Sequence, residues 1–416
     1  MPKKFIITTL VIYLIALSIT QTIHAMYIPC GVTEIAGSPF TDGIFNPQQL
    51  VFSPDSKWLA VANFSSSTVS IFSVNATTCQ LTFVSSVPTG GLQPIGVTYS
   101  PDGTCLAVGN FISSDISIFT VNPTTGAITL LGAPVPTGGL QPVGIAYSPN
   151  GDCFAVANEF DTIPFTGNGS VSIFSVDPVT CAITLVGAPV TTGVLNPVSV
   201  DYSPDSTCLA IANFDVFGSS GSVSVFSVNP LTCSITLVGA PFMTGDMHPA
   251  SAVYSPNGMC LAISNTNLLD LSGGSVSIFS VDQDTCFLTE VGLALPTGGS
   301  TPFPLTFSPD GLCLAVVNSR SNNFTIFSVN PTTCIINPIG SPIPAGSFPF
   351  FAAYSPDNKC LAISNSGFDP LVGPTGPLGS ISVFQTNFID PSLLANQSPI
   401  VKAIFAKYCP VCALIT

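Results

Sequence analysis

Short apolar runs separated by polar turns fill the chain between residues 31 and 384, and no helical period appears in this range. The segment Phe-Ser-Pro or Tyr-Ser-Pro, followed by Asp or Asn, occurs seven times at intervals of 47 to 55 residues. A repeat of this length that contains four short strands is typical of a propeller blade. The pattern therefore predicts an all-β fold, a seven-bladed β-propeller of four-stranded blades. The repeated serines are Ser53, Ser100, Ser148, Ser203, Ser255, Ser308 and Ser355.

The second repeat shows the unit most clearly. Strand a is predicted at Pro94–Tyr99, strand b at Cys105–Asn110, strand c at Asp115–Val121 and strand d at 127–131. A Ser-Pro-Asp-Gly turn joins strands a and b, because Pro presets φ at its second position. Strand b is apolar throughout, as expected of a strand buried on both faces between neighbouring blades. Each strand b ends in Asn, which we expect to bind backbone groups of the loop that follows.

The last repeat lacks a strand d of its own. Residues 30–40 resemble residues 233–242, which form the strand-d segment of the fourth repeat. We therefore expect the N-terminal strand to complete blade 7 and close the ring, which removes an exposed edge.

The chain is predicted to have three parts. Residues 1–25 combine two lysines, an apolar run and a small-residue cut site, which is the pattern of a signal peptide rather than of a membrane span. Residues 27–386 form the propeller, and residues 387–416 form a tail with a short helix and a Cys-x-x-Cys motif. The protein is thus expected to be secreted or periplasmic, and monomeric.

The formal net charge is −14, with only seven Lys and Arg residues against 21 carboxylates. An acidic chain of this kind lacks the basic surface that nucleic acids and anionic membranes require. We expect a protein or glycan partner instead, and neither nucleic acid nor a membrane span.

The cysteines form two repeating sets, one at the start of strand b and one at the start of strand d, and in an exported chain they predict disulfides. They could pair within a blade, or the strand-d cysteine could pair with the strand-b cysteine of the following blade, or they could stay free and buried. Strand c separates b from d by about 9.5 Å, beyond the roughly 7 Å limit for a bridge, unless a turn folds over it. The within-blade pairs would be Cys153–Cys181, Cys208–Cys233, Cys260–Cys286, Cys313–Cys334 and Cys360–Cys30; a local bridge is predicted for Cys409 and Cys412.

The loops that follow strand b share one face with the loops that precede strand a, and insertions lengthen them in several blades. We call this side of the propeller the loop face. Its candidate binding residues are charged: Asp161, Asp215, Asp246, Asp270, Arg320 and Asp369. Carboxylates from separate loops could bind Ca²⁺, but no contiguous calcium loop is present, so we favour solvated charge and predict no cofactor and no metal.

Three residues of the loop face break the repeat: Glu159, His248 and Arg320. His248 is the sole histidine left after export and could act as a general base, although a lone surface histidine is the simpler interpretation. Arg320 is the sole arginine, and it is expected to pair with an acidic neighbour.

The repeat GLQPIGVTYSPDGTCLAVGNF resembles the lactonase-type seven-bladed propellers, which are related to YVTN-repeat proteins. The shared motifs are Gly-x-x-Pro before strand a, Ser-Pro-Asp-Gly, and the Val-x-Asn end of strand b. The resemblance covers essentially residues 27–386. It implies a lactone hydrolase with polar groups at the channel mouth, where Glu159 matches the family's Asn-Glu and His248 keeps part of a His-Pro-Arg motif.

Two hypotheses follow, with a third behind them. The first is a non-enzymatic module that binds a protein or glycan through the loop face. The second is a lactone hydrolase with Glu159 and His248 as catalytic residues, which requires both to meet in one pocket. The third is a structural component of the envelope or surface.

Overall fold

The computed structural model describes residues 30–161, 169–214, 221–267, 273–369, 373–374 and 379–386. Seven antiparallel sheets follow one another along the chain, which confirms the seven-bladed propeller. Residues 34–385 form one compact unit. The predicted signal peptide and the tail with Cys409 and Cys412 lie outside the described residues.

Each blade is built from strands a to d in chain order. The innermost strands a are Pro47–Phe52, Pro94–Tyr99, Leu140–Tyr147, Pro197–Tyr202, Pro249–Tyr254, Pro302–Phe307 and Pro349–Tyr354. Strands b are Trp58–Asn63, Cys105–Asn110, Cys153–Phe160, Cys208–Asn213, Cys260–Thr266, Cys313–Asn318 and Cys360–Asn365. Strands c are Thr68–Val74, Asp115–Val121, Ser170–Val176, Ser222–Val228, Gly274–Val281, Asn323–Val329 and Ser380–Thr386.

Strand d is continuous in blade 1, at Leu81–Pro88, but broken into two pieces in blades 2 to 6. The first pieces are Ile128–Leu130, Ile183–Leu185, Ile235–Leu237, Leu288–Glu290 and Ile336–Pro338. The second pieces are Val135–Pro136, Val190–Thr191, Phe242–Met243, Leu295–Pro296 and Ile343–Pro344, and they pair with the start of strand c. A positive-φ glycine interrupts the ladder in these five blades, for example Gly132 (φ 67°), and in all of them except blade 5 a Pro follows two residues later. Blade 1 has Val-Ser-Ser there and keeps its ladder.

The N-terminal strand Val32–Glu34 lies in the sheet of blade 7, which confirms the predicted closure of the ring. The pairing continues beyond it. The Ile35 N–H donates to the Val383 carbonyl over 3.0 Å, and Phe40 and Ile381 exchange two backbone hydrogen bonds of 2.8 Å each. Two short elements lie outside the blades: a 3-10 turn at Ser319–Ser321, and a hairpin of Phe368–Asp369 with Gly373–Pro374.

The hydrophobic core lies between blades. One cluster joins Cys153 and Ala155 of blade 3 to Leu209, Phe226 and Cys233 of blade 4, and similar clusters join other neighbours. Strand b is buried along almost its whole length, as its apolar sequence predicts.

The repeated asparagine near the end of each strand b is fully or almost fully buried. Its side-chain amide donates to a Ser or Thr hydroxyl of strand c, as in Asn110 to Ser117 over 2.8 Å, and Ser117 donates to the Thr89 carbonyl of the preceding blade over 2.6 Å. The asparagines thus link sheets through hydroxyl groups, rather than mainly binding the loop backbone as expected. The series is Asn63, Asn110, Asn158, Asn213, Asn265, Asn318 and Asn365.

Both disulfide pairings considered from the sequence are wrong. The strand-b cysteine of one blade pairs with the strand-d cysteine of the next, with Cα atoms 5.6 to 5.7 Å apart: Cys105–Cys181, Cys153–Cys233, Cys208–Cys286, Cys260–Cys334 and Cys79–Cys360. Within a blade strand c intervenes, whereas the stacking of twisted blades brings the outer strand of the next blade over strand b. Cys30 and Cys313 are also disulfide-bonded.

Blade 1 has Trp58 at the strand-b position, and blade 2 has Gly126 at the strand-d position. The pairing of the strand-b residue of one blade with the strand-d residue of the next brings these two residues together. A Cβ atom at Gly126 would lie 2.4 Å from Cε3 of Trp58, and the Trp58 indole N–H donates to the Pro123 carbonyl over 3.2 Å. An indole over a glycine therefore occupies the position of a further bridge.

Candidate active site

A cavity of about 880 Å³ runs between the innermost strands. All seven strands a contribute to its wall, and the wall is extended by the residues that directly follow the strand-b asparagines of blades 2, 3 and 4: Phe111, Glu159 and Phe214. A cavity of this volume falls in the range of small-molecule sites.

The residue that precedes the strand-a proline lies on the loop face in every blade. This residue has a positive φ, between 47° and 56°, in every blade: Asn46, Gln93, Gln141, Asn196, His248, Thr301 and Phe348. Its carbonyl accepts a hydrogen bond from the backbone N–H of the residue after the strand-b asparagine, as in Phe214 N–H to Asn196 (2.8 Å) and Thr266 N–H to His248 (3.0 Å). The repeated left-handed residue holds the loop face against strand b, and the sequence does not reveal it because none of the seven is glycine.

Glu159 is placed at the mouth of this cavity by the end of strand b in blade 3. The equivalent residue, directly after the buried asparagine, is Phe64, Phe111, Phe214, Thr266, Ser319 or Ser366 in the other blades. Its carboxylate Oε1 accepts a hydrogen bond from the Asn196 amide of blade 4 over 3.4 Å. Burial raises the pKa of the Glu159 carboxyl, and the Asn196 hydrogen bond opposes the shift only in part. A carboxyl of this kind is suited to general acid–base chemistry.

His248 is buried rather than on the surface, with 3% of its area exposed. Its Nδ1 lies 3.2 Å from the Thr266 carbonyl oxygen, and its ring centroid lies 5.4 Å from that of Phe214. His248 does not line the cavity, but Phe214 does. Glu159 and His248 thus approach the same stretch of the mouth, Glu159 at the wall and His248 behind an aromatic ring of the wall.

Arg320 of blade 6 forms an ion pair with Asp369 of the blade 7 hairpin. Its Nη2 lies 2.9 Å from Asp369 Oδ1, and the two side chains are only 15% and 8% exposed. The structure therefore brings these two candidates together, as expected for an acidic partner of Arg320. The pair fixes the hairpin to the neighbouring blade, and neither residue lines the cavity.

Two of the other acidic candidates, Asp161 and Asp246, lie among the described residues and have different surroundings. The Asp246 carboxylate accepts hydrogen bonds from the Ser275 hydroxyl (2.7 Å) and the Met247 N–H (2.8 Å), while Asp161 is exposed. Asp215 and Asp270 lie outside the described residues. Across the part of the chain that the structure describes, no group of three or more His, Cys, Asp or Glu residues could hold a metal ion.

Asp201 is a buried carboxyl that the sequence analysis missed. It lies at the fifth position of strand a in blade 4, where the other blades have Val51, Thr98, Ala146, Val253, Thr306 and Ala353. It lines the cavity, and its Oδ2 accepts the Tyr254 N–H of blade 5 over 2.7 Å. Burial raises the pKa of Asp201 to about 7, despite hydrogen bonds from the Tyr254 and Tyr202 backbone that lower it. A comparison of the repeats position by position along strand a would have found it, because no other blade has a charged residue there.

The Glu159 and Asp201 side chains lie at different depths along the cavity. In blade 3 the register pairs Leu140 with Phe160 and Tyr147 with Phe154, so Glu159 lies at the loop-face end of the cavity. The register of blade 4 places Asp201 near the opposite end. The separation is about five residues, or roughly 15 Å along the strands. They are therefore two separate carboxyls and not a catalytic pair.

Aromatic side chains surround the mouth. Phe303 and Phe350 occupy the second position of strand a in blades 6 and 7, and their ring centroids lie 5.2 Å apart. In a ring of seven blades, the point opposite blade 3 falls between blades 6 and 7, so this pair faces Glu159 across the cavity. Phe111 and Phe214, from blades 2 and 4, flank Glu159 on either side.

The fold and this mouth define a β-propeller with a partly buried carboxyl at one end of an axial cavity. The family model described as "Lactonase, 7-bladed beta-propeller" matches residues 37–143 and 233–353, more than half of the chain. The chain therefore belongs to the lactonase-type seven-bladed propellers, which confirms the resemblance found in its repeats.

Solved structures share the fold at low identity. A putative 6-phosphogluconolactonase from Bacteroides uniformis has a TM-score of 0.63 at 19% identity, over 74% of this chain and 88% of that one. A periplasmic gluconolactonase from Pseudomonas aeruginosa has a TM-score of 0.59 at 19% identity, over 76% and 96%. Hydrazine synthase from Kuenenia stuttgartiensis scores 0.59 at 20% identity, over 80% and 96%, so the fold serves different chemistries. A comparison with the curated proteins found no match.

Proposed function

We propose that this protein is a lactone hydrolase whose reaction takes place at the loop-face end of the axial cavity, with Glu159 as the general base. Membership of the lactonase family supports this hypothesis over a binding module. The observation that carries it is the position of Glu159: a partly buried carboxyl of raised pKa replaces the repeat's aromatic or hydroxyl residue at the mouth of the cavity.

The proposed step is the addition of water to the lactone carbonyl. The Glu159 carboxylate takes one proton from a water molecule as the water oxygen forms a bond to the carbonyl carbon. The ring C–O bond then breaks, and the proton held by Glu159 passes to the ring oxygen as it leaves. The product is a hydroxy acid, and the carboxylate is regenerated.

Asn196 and His248 are proposed as positioning residues. The Asn196 amide holds one oxygen of Glu159, and the Asn196 backbone holds Phe214. The His248 ring supports Phe214 from behind. Together they would fix the carboxylate relative to the aromatic wall, as a catalytic group requires.

Export of the protein is part of the proposal. Disulfides that join neighbouring blades are typical of oxidising compartments. One of the structural neighbours is described as periplasmic. A secreted or periplasmic location agrees with both observations and with the predicted signal peptide. Among the described residues, no helix is long and apolar enough to span a bilayer.

The test is hydrolysis of a panel of aliphatic and sugar lactones by the disulfide-intact protein. Glu159→Gln should lower kcat/KM at least about 100-fold, the usual contribution of a general base. Glu290→Gln is the matched control, because Glu290 is exposed on the outer strand d of blade 5. Undiminished turnover in Glu159→Gln, or no turnover of any lactone by the unaltered protein, would contradict the proposal.

A further inference from the structure

We infer that the substrate is an uncharged lactone bearing an apolar chain, rather than a phosphorylated sugar lactone. This inference rests on the proposed function and adds the class of substrate to it. It is carried by the arrangement of charge and aromatic groups around the cavity.

The first argument is the absence of a cation where an anionic substrate would need one. Among the described residues that line the cavity there is no Lys, Arg or His, whereas two carboxyl groups line it, those of Glu159 and Asp201. Arg320 is held by Asp369, while Lys57 and Lys359 pair with Asp55 and Asp357 in the turns between strands a and b, on the opposite face. Among the described residues, a phosphate group in this cavity would meet the carboxyls of Glu159 and Asp201 and no donor of positive charge to bind it.

The second argument is the aromatic wall opposite the carboxyl. Phe303 and Phe350 are half-buried, contact each other, and expose their remaining area to the cavity across from Glu159. Phe111 and Phe214 add apolar surface on each side of Glu159. A lactone ring placed at the carboxyl would therefore direct a substituent against Phe303 and Phe350.

The third argument is size. A bare six-membered lactone fills only a small part of a cavity of about 880 Å³. An alkyl chain would fill more of the space and displace water from the aromatic wall. Each methylene removed from water would strengthen binding roughly fourfold.

The experiment compares three δ-lactones: one unsubstituted, one with a long alkyl chain, and one on a 6-phosphorylated sugar. We expect kcat/KM to be at least tenfold higher for the alkyl lactone than for the other two. The double substitution Phe303→Ala, Phe350→Ala should remove most of this preference through KM, because it should lower kcat/KM much more for the alkyl lactone than for the unsubstituted one. Phe287→Ala, which disrupts the outer aromatic pair Phe242–Phe287 (5.0 Å), should leave the preference intact.

The outcomes separate this inference from the proposed function. If the phosphorylated lactone is the best substrate, the inference is wrong and the hydrolase proposal stands. If no lactone is hydrolysed, the hydrolase proposal fails, and binding of an alkyl δ-lactam, measured by calorimetry, decides the inference. Lactam binding that the Phe303→Ala, Phe350→Ala protein loses would support an apolar ligand, and no lactam binding would overturn it.

Discussion

Glu159 shows how much a single position can reveal when a sequence repeats. The residue is recognisable from the sequence because it breaks a series of aromatic and hydroxyl residues after the strand-b asparagine. His248 and Arg320 were found by the same criterion, and an acidic partner was expected for Arg320, but the burial of His248 and the identity of the partner of Arg320 were not predicted. The burial of His248 behind Phe214 and the closure of Arg320 onto a hairpin depend on loops from neighbouring blades. Asp201 was not predicted, because it stands out in the sequence only when the strands a of the seven repeats are aligned position by position.

The raised pKa of Glu159 predicts the acid limb of the pH–rate profile, that is, how kcat/KM falls at low pH. Because burial raises this pKa above its ordinary value of 4.5, the base is protonated and inactive at a higher pH than a solvated glutamate would be. We expect kcat/KM to rise with pH through a midpoint above 4.5. The measurement is a pH–rate profile of kcat/KM. Glu159→Gln should abolish this limb, whereas Asp201→Asn, about 15 Å away, should keep it.

Asp201 predicts a pH dependence of stability. Its pKa is about 7 in the folded protein, against an ordinary value of 3.8, so between these pH values the unfolded chain releases a proton that the folded chain retains. The free energy of unfolding therefore falls as the pH rises through this window, and the loss is complete above pH 7. Asp201→Asn removes the titrating group, so its free energy of unfolding relative to the unaltered protein should be about 4 kcal/mol higher at pH 8 than at pH 4. Urea unfolding at the two pH values measures this, and an equal difference at both would contradict it.

At the scale of the strand, the sequence predicts where elements lie better than how they are joined. The predicted strands a, b and c of blade 2 agree with the structure. The break in strand d was missed, although its Gly and Pro residues are visible in the sequence. The direction of the disulfides could not be predicted, because it depends on the twist that sets one blade over the next.

The contact between Trp58 and Gly126 provides a test of that stacking. Gly126 (φ 68°) and Gly132 (φ 67°) have nearly the same backbone conformation, but only a Cβ at Gly126 would collide with Trp58. Gly132→Ala should cost about 1 kcal/mol for its left-handed conformation. Gly126→Ala should cost about 1–3 kcal/mol more, because the indole must move. Chemical denaturation of both variants measures the difference, and equal costs would show that the two residues do not pack as described.

At the scale of the whole molecule, the repeat count and the unpaired last blade were sufficient to predict a ring closed by its N-terminal strand. The structure adds a covalent series of bridges between neighbouring blades, including Cys79–Cys360 between blades 1 and 7. These bridges and the hydrophobic core between the blades hold the seven innermost strands in a rigid ring around the cavity. The sequence of the loop face varies from blade to blade, and the residues that distinguish one blade from another lie there.

We expect the free energy of unfolding that a disulfide contributes to depend little on how far apart its two cysteines lie in the sequence. Cys79–Cys360 spans 281 residues and Cys260–Cys334 spans 74. In an isolated chain, the longer loop would contribute more to stability. Here the remaining bridges already connect the blades and shorten the effective loop closed by Cys79–Cys360. We therefore expect the two Cys→Ser double variants to lose similar free energies of unfolding, about 3–4 kcal/mol each. A much larger loss for the Cys79–Cys360 pair would contradict this account.

The central claim, that a lactone is bound and hydrolysed at Glu159, is tested most directly by a crystal structure with an alkyl δ-lactam, a substrate analogue that resists hydrolysis. The account predicts that the lactam ring lies within hydrogen-bond reach of the Glu159 carboxyl, with its chain against Phe303 and Phe350. A lactam bound near Asp201 at the other end of the cavity, or outside the cavity altogether, would contradict it.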